Sequence, residues 1–173
     1  ANWDSSQGYY LQIDATAIDD TSGNSFAGIN DTTTLNFTAA DVVAPILSST
    51  SPTDNATGVA AGANIVLTFN ENVAAGSGNI TLKKSSDNST VQAMAVGGAN
   101  VSISGAVVTI NPTANLASSQ GYYVQVDATA IDDTSGNSFA GVSDTTTLSF
   151  TAADSAGPAI ASSVPADDAT GVA

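Results

Sequence analysis

Residues 1–60 reappear without a gap as residues 114–173, with 43 of the 60 aligned pairs identical. The offset from Ala1 to Ala114 is far longer than a solenoid repeat, which spans roughly 20–50 residues, and it matches a whole domain. Each repeat must therefore own a core. The phase of the repeat places boundaries at Asp41 and Asp154. Each follows Phe-Thr-Ala-Ala, the end of an expected strand (Thr34–Ala39 and Thr147–Ala152), and each precedes a proline segment ending at Pro45 or Pro158. Proline keeps its predecessor extended and donates no ladder bond, which suits a stiff junction or an edge strand. The expected organisation is the C-terminal half of one module over 1–40, a complete module over 41–153, and the start of a following module over 154–173.

The complete module reads as strands. Asn64–Phe69 is a short run rich in β-branched and aromatic residues, and Ile80–Lys84, Val91–Val96, Val101–Ser104 and Val107–Ile110 alternate as half-buried strands do. Tyr122–Val126 and Thr145–Phe150 follow. Turn formers separate them: Gly76-Ser77-Gly78, Ser85 to Asn88, Gly97-Gly98, Ser104-Gly105 and Gly136-Asn137. About seven short strands at this spacing, without helical periodicity, indicate an all-β antiparallel sandwich. The Ala-containing stretch Asn115–Ala117 could form a helical turn at most.

The order of features across 41–153 resembles the bacterial Ig-like domains of the S-layer-protein type. Pro45 and Ser51-Pro52 open it, followed by Thr53 to Val59. Val66-Leu67-Thr68-Phe69 then runs into Asn70-Glu71-Asn72-Val73, a strand ending in Phe before an acid. Asn79-Ile80-Thr81-Leu82, Asn111-Pro112, Leu116, the strand at 121–126, the Asp-x-x-x-Gly-Asn loop at 133–137 and the closing Leu148-Ser149-Phe150 complete the pattern. The resemblance implies tandem Ig-like modules at a bacterial surface, commonly as spacers or stalks of adhesins and surface-layer proteins. Fold alone does not name an activity.

Charge excludes several functions. The chain has 16 acidic residues, all Asp except Glu71, against Lys83 and Lys84, for a net charge of −14. Phosphate recognition needs cations, so neither nucleic acid nor an anionic membrane surface is an expected partner. No Cys or His is present, which removes disulfides, thiolate catalysis and Cys/His zinc sites. No stretch approaches the roughly 18–20 apolar residues of a membrane helix, and no signal-peptide pattern opens the chain. A Ser–Lys pair would need lysines at a strand end, and the adjacent acids Asp19–Asp20 and Asp132–Asp133 point apart. No catalytic role is expected.

Clustered Asp and Asn oxygens are the ligands that Ca²⁺ prefers. The loop Ile131 to Phe139, with Asp132, Asp133 and Asn137, and its twin with Asp19, Asp20 and Asn24, admit two readings. One is a tight turn, capped by Asp, with Gly at positive φ and the flanking Ile and Phe packed inward. The other is a Ca²⁺ loop. A second candidate lies at the boundaries, where Asp41 and Asp154 begin modules and Glu71 or Asp144 could approach; a cation there would stiffen the array.

Three functions remain. The first is a structural spacer of a secreted or cell-surface bacterial protein, its partners being neighbouring copies of the module. The second is a filament-forming subunit. Residues 1–40 and 114–153 differ at seven positions, so either could complete the core of 41–113 by strand exchange and so drive self-association. The third is an adhesin module for a surface glycan or receptor, using the aromatics that recur at the repeat period. Adjacent tyrosines on a strand face opposite sides, so one of each pair (Tyr9–Tyr10, Tyr122–Tyr123) is expected in the core. Trp3 answers to Leu116, which favours packing over ligand stacking. Asn-x-Ser/Thr sequons begin at Asn30, Asn36, Asn55, Asn79, Asn88 and Asn100, and they matter only where glycosylation machinery exists.

Overall fold

The runs of β-branched and aromatic residues do form strands. The computed structural model describes residues 2–171. Residue 1 and residues 172 and 173, the last two positions of the expected following module, lie outside the described residues. Thirteen strands are present among those described: β1 (Gly8–Tyr10), β2 (Asn36–Thr38), β3 (Leu47–Ser51), β4 (Ala56–Val59), β5 (Ile65–Phe69), β6 (Val73–Ala75), β7 (Asn79–Lys84), β8 (Thr90–Ala95), β9 (Val101–Ser104), β10 (Val107–Ile110), β11 (Gly121–Val126), β12 (Ile131–Asp133) and β13 (Ser149–Ala152). None of the described residues is helical, and Asn115–Ala117 forms no helical turn.

Two sheets make an Ig-like sandwich. One runs β3-β5-β10-β9, the other β4-β13-β11-β7-β8, and a ribbon of β12 and β6 closes one end. All pairings are antiparallel except that of β13 with β4. The two sheets therefore hold nine strands rather than about seven, because Leu47–Ser51 and Ala56–Val59, read as turn and junction, each find an edge to pair with. The inner faces bury Leu67, Ile80, Leu82, Val108, Ile110 and Val124 almost completely. Burial of such a side chain is worth about 1.5–3 kcal/mol.

Two local expectations need correcting. Thr145–Thr147 do not belong to the closing strand. The Asp144 carboxylate accepts hydrogen bonds from the backbone N–H groups of Thr146 and Thr147, both at 2.7 Å, and this side-chain turn outcompetes extension. Both tyrosines of β11, not one, are buried. Tyr122 enters the core and stacks on Phe150 at 5.9 Å. Tyr123 points to the other face, where Lys83 lies 6.0 Å from its ring centroid and its hydroxyl donates to Asn88 at 3.1 Å.

Residues 2–40 repeat the local structure of their twin. Gly8, Tyr9 and Tyr10 pair with Thr38, Phe37 and Asn36, as Gly121, Tyr122 and Tyr123 pair with Thr151, Phe150 and Ser149. The bridges Ile13–Ile29 and Asp19–Ser25 match Val126–Val142 and Asp132–Ser138. What differs is cover, since β1 and β2 form a sheet of two strands only. At the other end, residues 155–171 form no strand, and Ile160 and Val164 are exposed.

Candidate functional site

The end of the sandwich that faces residues 1–40 gathers three acids. β12 pairs with β6 so that Asp133 lies opposite Val73, which brings Glu71, two positions before Val73, alongside. Asp41 arrives from the segment that leads into β3. One oxygen from each of Asp41, Glu71 and Asp133 can be chosen so that all lie within 4.8 Å of one another. Asp133 is buried and the other two are half-buried.

Local hydrogen bonds hold two of the three carboxylates. Asp133 accepts from the backbone N–H groups of Ser135 and Asn137, both at 2.8 Å, and from the Asn137 side-chain amide at 2.7 Å. Burial pushes its pKa up, but these bonds to the charged form outweigh it and leave the group below its ordinary value. The Asn137 amide also reaches the Asp41 carbonyl at 3.3 Å, tying the loop to the incoming segment. Asp41 accepts from the Ser5 hydroxyl at 2.7 Å and from the Val43 N–H at 3.1 Å. The Ser5 bond is the main reason its pKa is lowered, while the charge of Asp133 works the other way. The Ser5 hydroxyl oxygen in turn accepts from the Val42 N–H at 3.0 Å.

Three carboxylates this close repel one another and offer hard oxygen donors. Ca²⁺ uses six to eight oxygens at about 2.3–2.6 Å, so backbone carbonyls and water would complete such a set. The Asp133 loop is at the same time a turn: Gly136 has φ 90°, and Ile131 and Phe139 are buried. The turn bonds fix the Asp133 carboxylate beside Asp41 and Glu71.

The two sequence candidates thus meet in one place, Asp133 from the loop and Asp41 with Glu71 from the boundary. Asp132 points away along the strand alternation and accepts from the Ser138 hydroxyl at 2.6 Å. Asp144 holds its own turn. Asp20 keeps the same bonds from Ser22 and Asn24, and Asp19 stands beside it, yet among the described residues no other trio of acidic side chains converges. Asp154 repeats Asp41 in one respect, accepting from the Ser118 hydroxyl at 2.8 Å. Sequence reasoning misses this serine brace. Its only trace is that Ser5 and Ser118 stand equally far ahead of Asp41 and Asp154, a separation that carries no local signal.

A family model described as a bacterial Ig-like domain matches residues 41–152. No curated protein matches the chain. Among solved structures, the chain is similar to CopC from Methylosinus trichosporium OB3b at 18% identity, with a TM-score of 0.47, over 66% of this chain and 99% of that one. It is also similar to the S-layer protein rSbsC(31-844), at 18% identity and TM-score 0.42 over 68% of this chain. The N-terminal part of the bacterial S-layer protein SbsC gives 19% identity and TM-score 0.44 over 64% of this chain. The chain spans 14% and 24% of those two S-layer polypeptides.

Proposed function

Because the chain belongs to the bacterial Ig-like domain family, we propose that it serves as a structural spacer in an extracellular bacterial surface protein, with junctions between its modules braced by Ca²⁺. The observation that carries this reading is the position of Asp41. Its carboxylate is held by Ser5 from the preceding half-module and converges with Glu71 and Asp133 of the sandwich. A cation at that point would join both sides of the junction and offset the repulsion of three negative charges. The Ser118–Asp154 bond supports a second junction of the same kind. The recurrence of the sequence 1–60 as 114–173, with the local structure of 2–40 repeated in its twin, supports length as the selected property.

Calcium titration tests the reading. A ligand present at about a hundred times its Kd stabilises the state it binds by about 2.7 kcal/mol. Adding CaCl2 to EDTA-treated protein is expected to raise the melting temperature by several degrees, and Glu71→Gln to remove most of that rise. X-ray scattering is expected to show a longer, stiffer particle with Ca²⁺ than with EDTA. A melting temperature and scattering profile indifferent to millimolar Ca²⁺ would remove the braced-junction reading.

A further inference from the structure

Residues 1–40 bare an apolar face whose twin is covered elsewhere in the same molecule. Trp3, Leu11, Ile18, Phe26 and Phe37 are 54%, 52%, 53%, 42% and 44% exposed, whereas Leu116, Val124, Ile131, Phe139 and Phe150 are at most 8% exposed. Sequence does not explain the difference, since most of these pairs are identical or nearly so. Local folding does not explain it either. The β1–β2 ladder, the bridges, and the bonds of Asp20, Asp31 and Tyr9 reproduce those of Asp133, Asp144 and Tyr122. The difference is residues 41–113, which cover one copy and not the other.

We propose that this face is a docking surface, and that its occupant is a polypeptide segment of the same type as residues 41–113, the front half of an Ig-like module. The inference rests on reading residues 1–40 as the back half of a module. The fit is specific in three ways. First, β1 has a vacant edge where β11 receives β7. The register Tyr122–Lys84, Tyr123–Lys83, Val124–Leu82 and Gln125–Thr81 carries over as Tyr9, Tyr10, Leu11 and Gln12 opposite the same four residues. Second, a groove of about 570 Å³ opens between Ile13, Ile18 and Phe26. At the equivalent place in the sandwich, Phe69 packs edge-on against Phe139 at 5.2 Å, and Val73 is buried beside β12. Third, the chain's two cations, Lys83 and Lys84, sit on the strand that would pair with β1, while residues 1–40, which present the face, carry acids and no cation.

A second intact copy is a poorer occupant. The described residues hold one complete front half, 41–113, and two back halves, so strand exchange between two copies of this stretch leaves as many faces bare as before. The cluster of Trp3, Tyr9 and Phe37, with ring centroids 4.7 to 5.7 Å apart, could also be taken for a sugar platform. Its positions are those of Leu116, Tyr122 and Phe150, all core, so its chemistry is that of an uncovered interior.

The test joins an extra copy of residues 41–113 ahead of Ala1 of the full chain. Thr113 is already followed by an Ala-Asn sequence identical to Ala1-Asn2, so no linker is needed. Trp3 is the only tryptophan and reports on this face alone. Its emission is expected to shift to the blue and its acrylamide quenching to fall at least about threefold relative to the full chain. Leu11→Asp in the fusion should restore quenching while the melting of residues 41–153 stays unchanged. Because the chain has no Cys, register can be read by crosslinking. Gln12→Cys is expected to form a disulfide on mild oxidation with Thr81→Cys in the added copy, and not with Ser49→Cys there. Quenching unchanged in the fusion, or crosslinking without register preference, overturns the proposal. So does a full chain that self-associates with Trp3 already protected, since a second copy would then be the occupant. Calcium response reports separately on the spacer reading. Its survival alongside failed docking would remove this inference alone.

Discussion

At the scale of single residues, conformation and not side-chain chemistry fixes the strictest requirement. Gly141 has φ +79°, and a Cβ there would meet the Val126 carbonyl oxygen at 2.5 Å and the Ala128 nitrogen at 2.8 Å. Both the dihedral and the contact forbid an L side chain. Gly141→Ala is expected to lower the unfolding free energy by about 1–3 kcal/mol, the range for a strained backbone, read by urea denaturation. Gly28 has the same φ and the same collision with Ile13 and Ala15, yet Gly28→Ala should leave the sandwich transition within about 0.5 kcal/mol, because the described residues 2–40 contribute nothing to its core. Equal losses at the two glycines would mean that the half-module before Asp41 folds cooperatively with the sandwich. The aspartates act at the same scale. Asp20, Asp31, Asp133 and Asp144 each draw in backbone N–H groups of the next few residues, which is why Asp so outnumbers Glu: the shorter side chain reaches its own turn.

At the scale of elements, the same strand has two values depending on what faces it. Phe150 on β13 stacks on Tyr122 and is buried, whereas Phe37 on β2 stacks on Tyr9 at 5.7 Å and stays half-open. Phe150→Ala is expected to cost about 3–5 kcal/mol in chemical denaturation, and Phe37→Ala less than about 0.5 kcal/mol in the transition of the sandwich. A comparable loss at Phe37 would show that the half-module is already covered in solution. Elements are also where sequence reading succeeds and fails for definable reasons. Ile65–Phe69 is legible as a short run rich in β-branched and aromatic residues, and Val101–Ser104 and Val107–Ile110 as alternating segments that bury one face. Leu47–Ser51 and Ala56–Val59 are not, since Ser, Ala and Gly carry little strand propensity and neither segment alternates apolar with polar residues. The closing strand reads as starting too early because Thr145–Thr147 have β-branched chemistry but are claimed by Asp144. The acidic site is half-legible: residue types suggest a cation, while the meeting of Asp41 with Asp133 depends on an end of the sandwich that no local pattern encodes.

For the whole molecule the governing quantity is charge. A net charge of −14 at pH 7, falling to zero near pH 4.1, would by itself make acidification stabilising, because self-repulsion fades. The resolved shifts point the other way. The Ser5 hydroxyl bond lowers Asp41, the Ser149 N–H lowers Asp54, and the Thr146 N–H lowers Asp144. Burial raises Asp133, but bonds from Asn137 and Ser135 win there too. A carboxylate whose folded pKa lies below its ordinary value of 3.8 stabilises the fold fully above that value, and the contribution fades as pH falls through the lower folded value. The melting temperature is therefore expected to stay level from about pH 7 to 5 and to fall once pH drops below about 4, the ordinary Asp range. In CaCl2 the calcium increment should vanish over the same interval, since protons compete with the cation for Asp41 and Asp133. Thermal melts from about pH 7 to 2.5, run in parallel with CaCl2 and EDTA, separate the two effects. A melting temperature that keeps rising as pH falls past about 4 would mean that repulsion outweighs every one of these turn bonds. The aspartates would then be there for solvation, and their convergence at the end of the sandwich would lose its structural meaning.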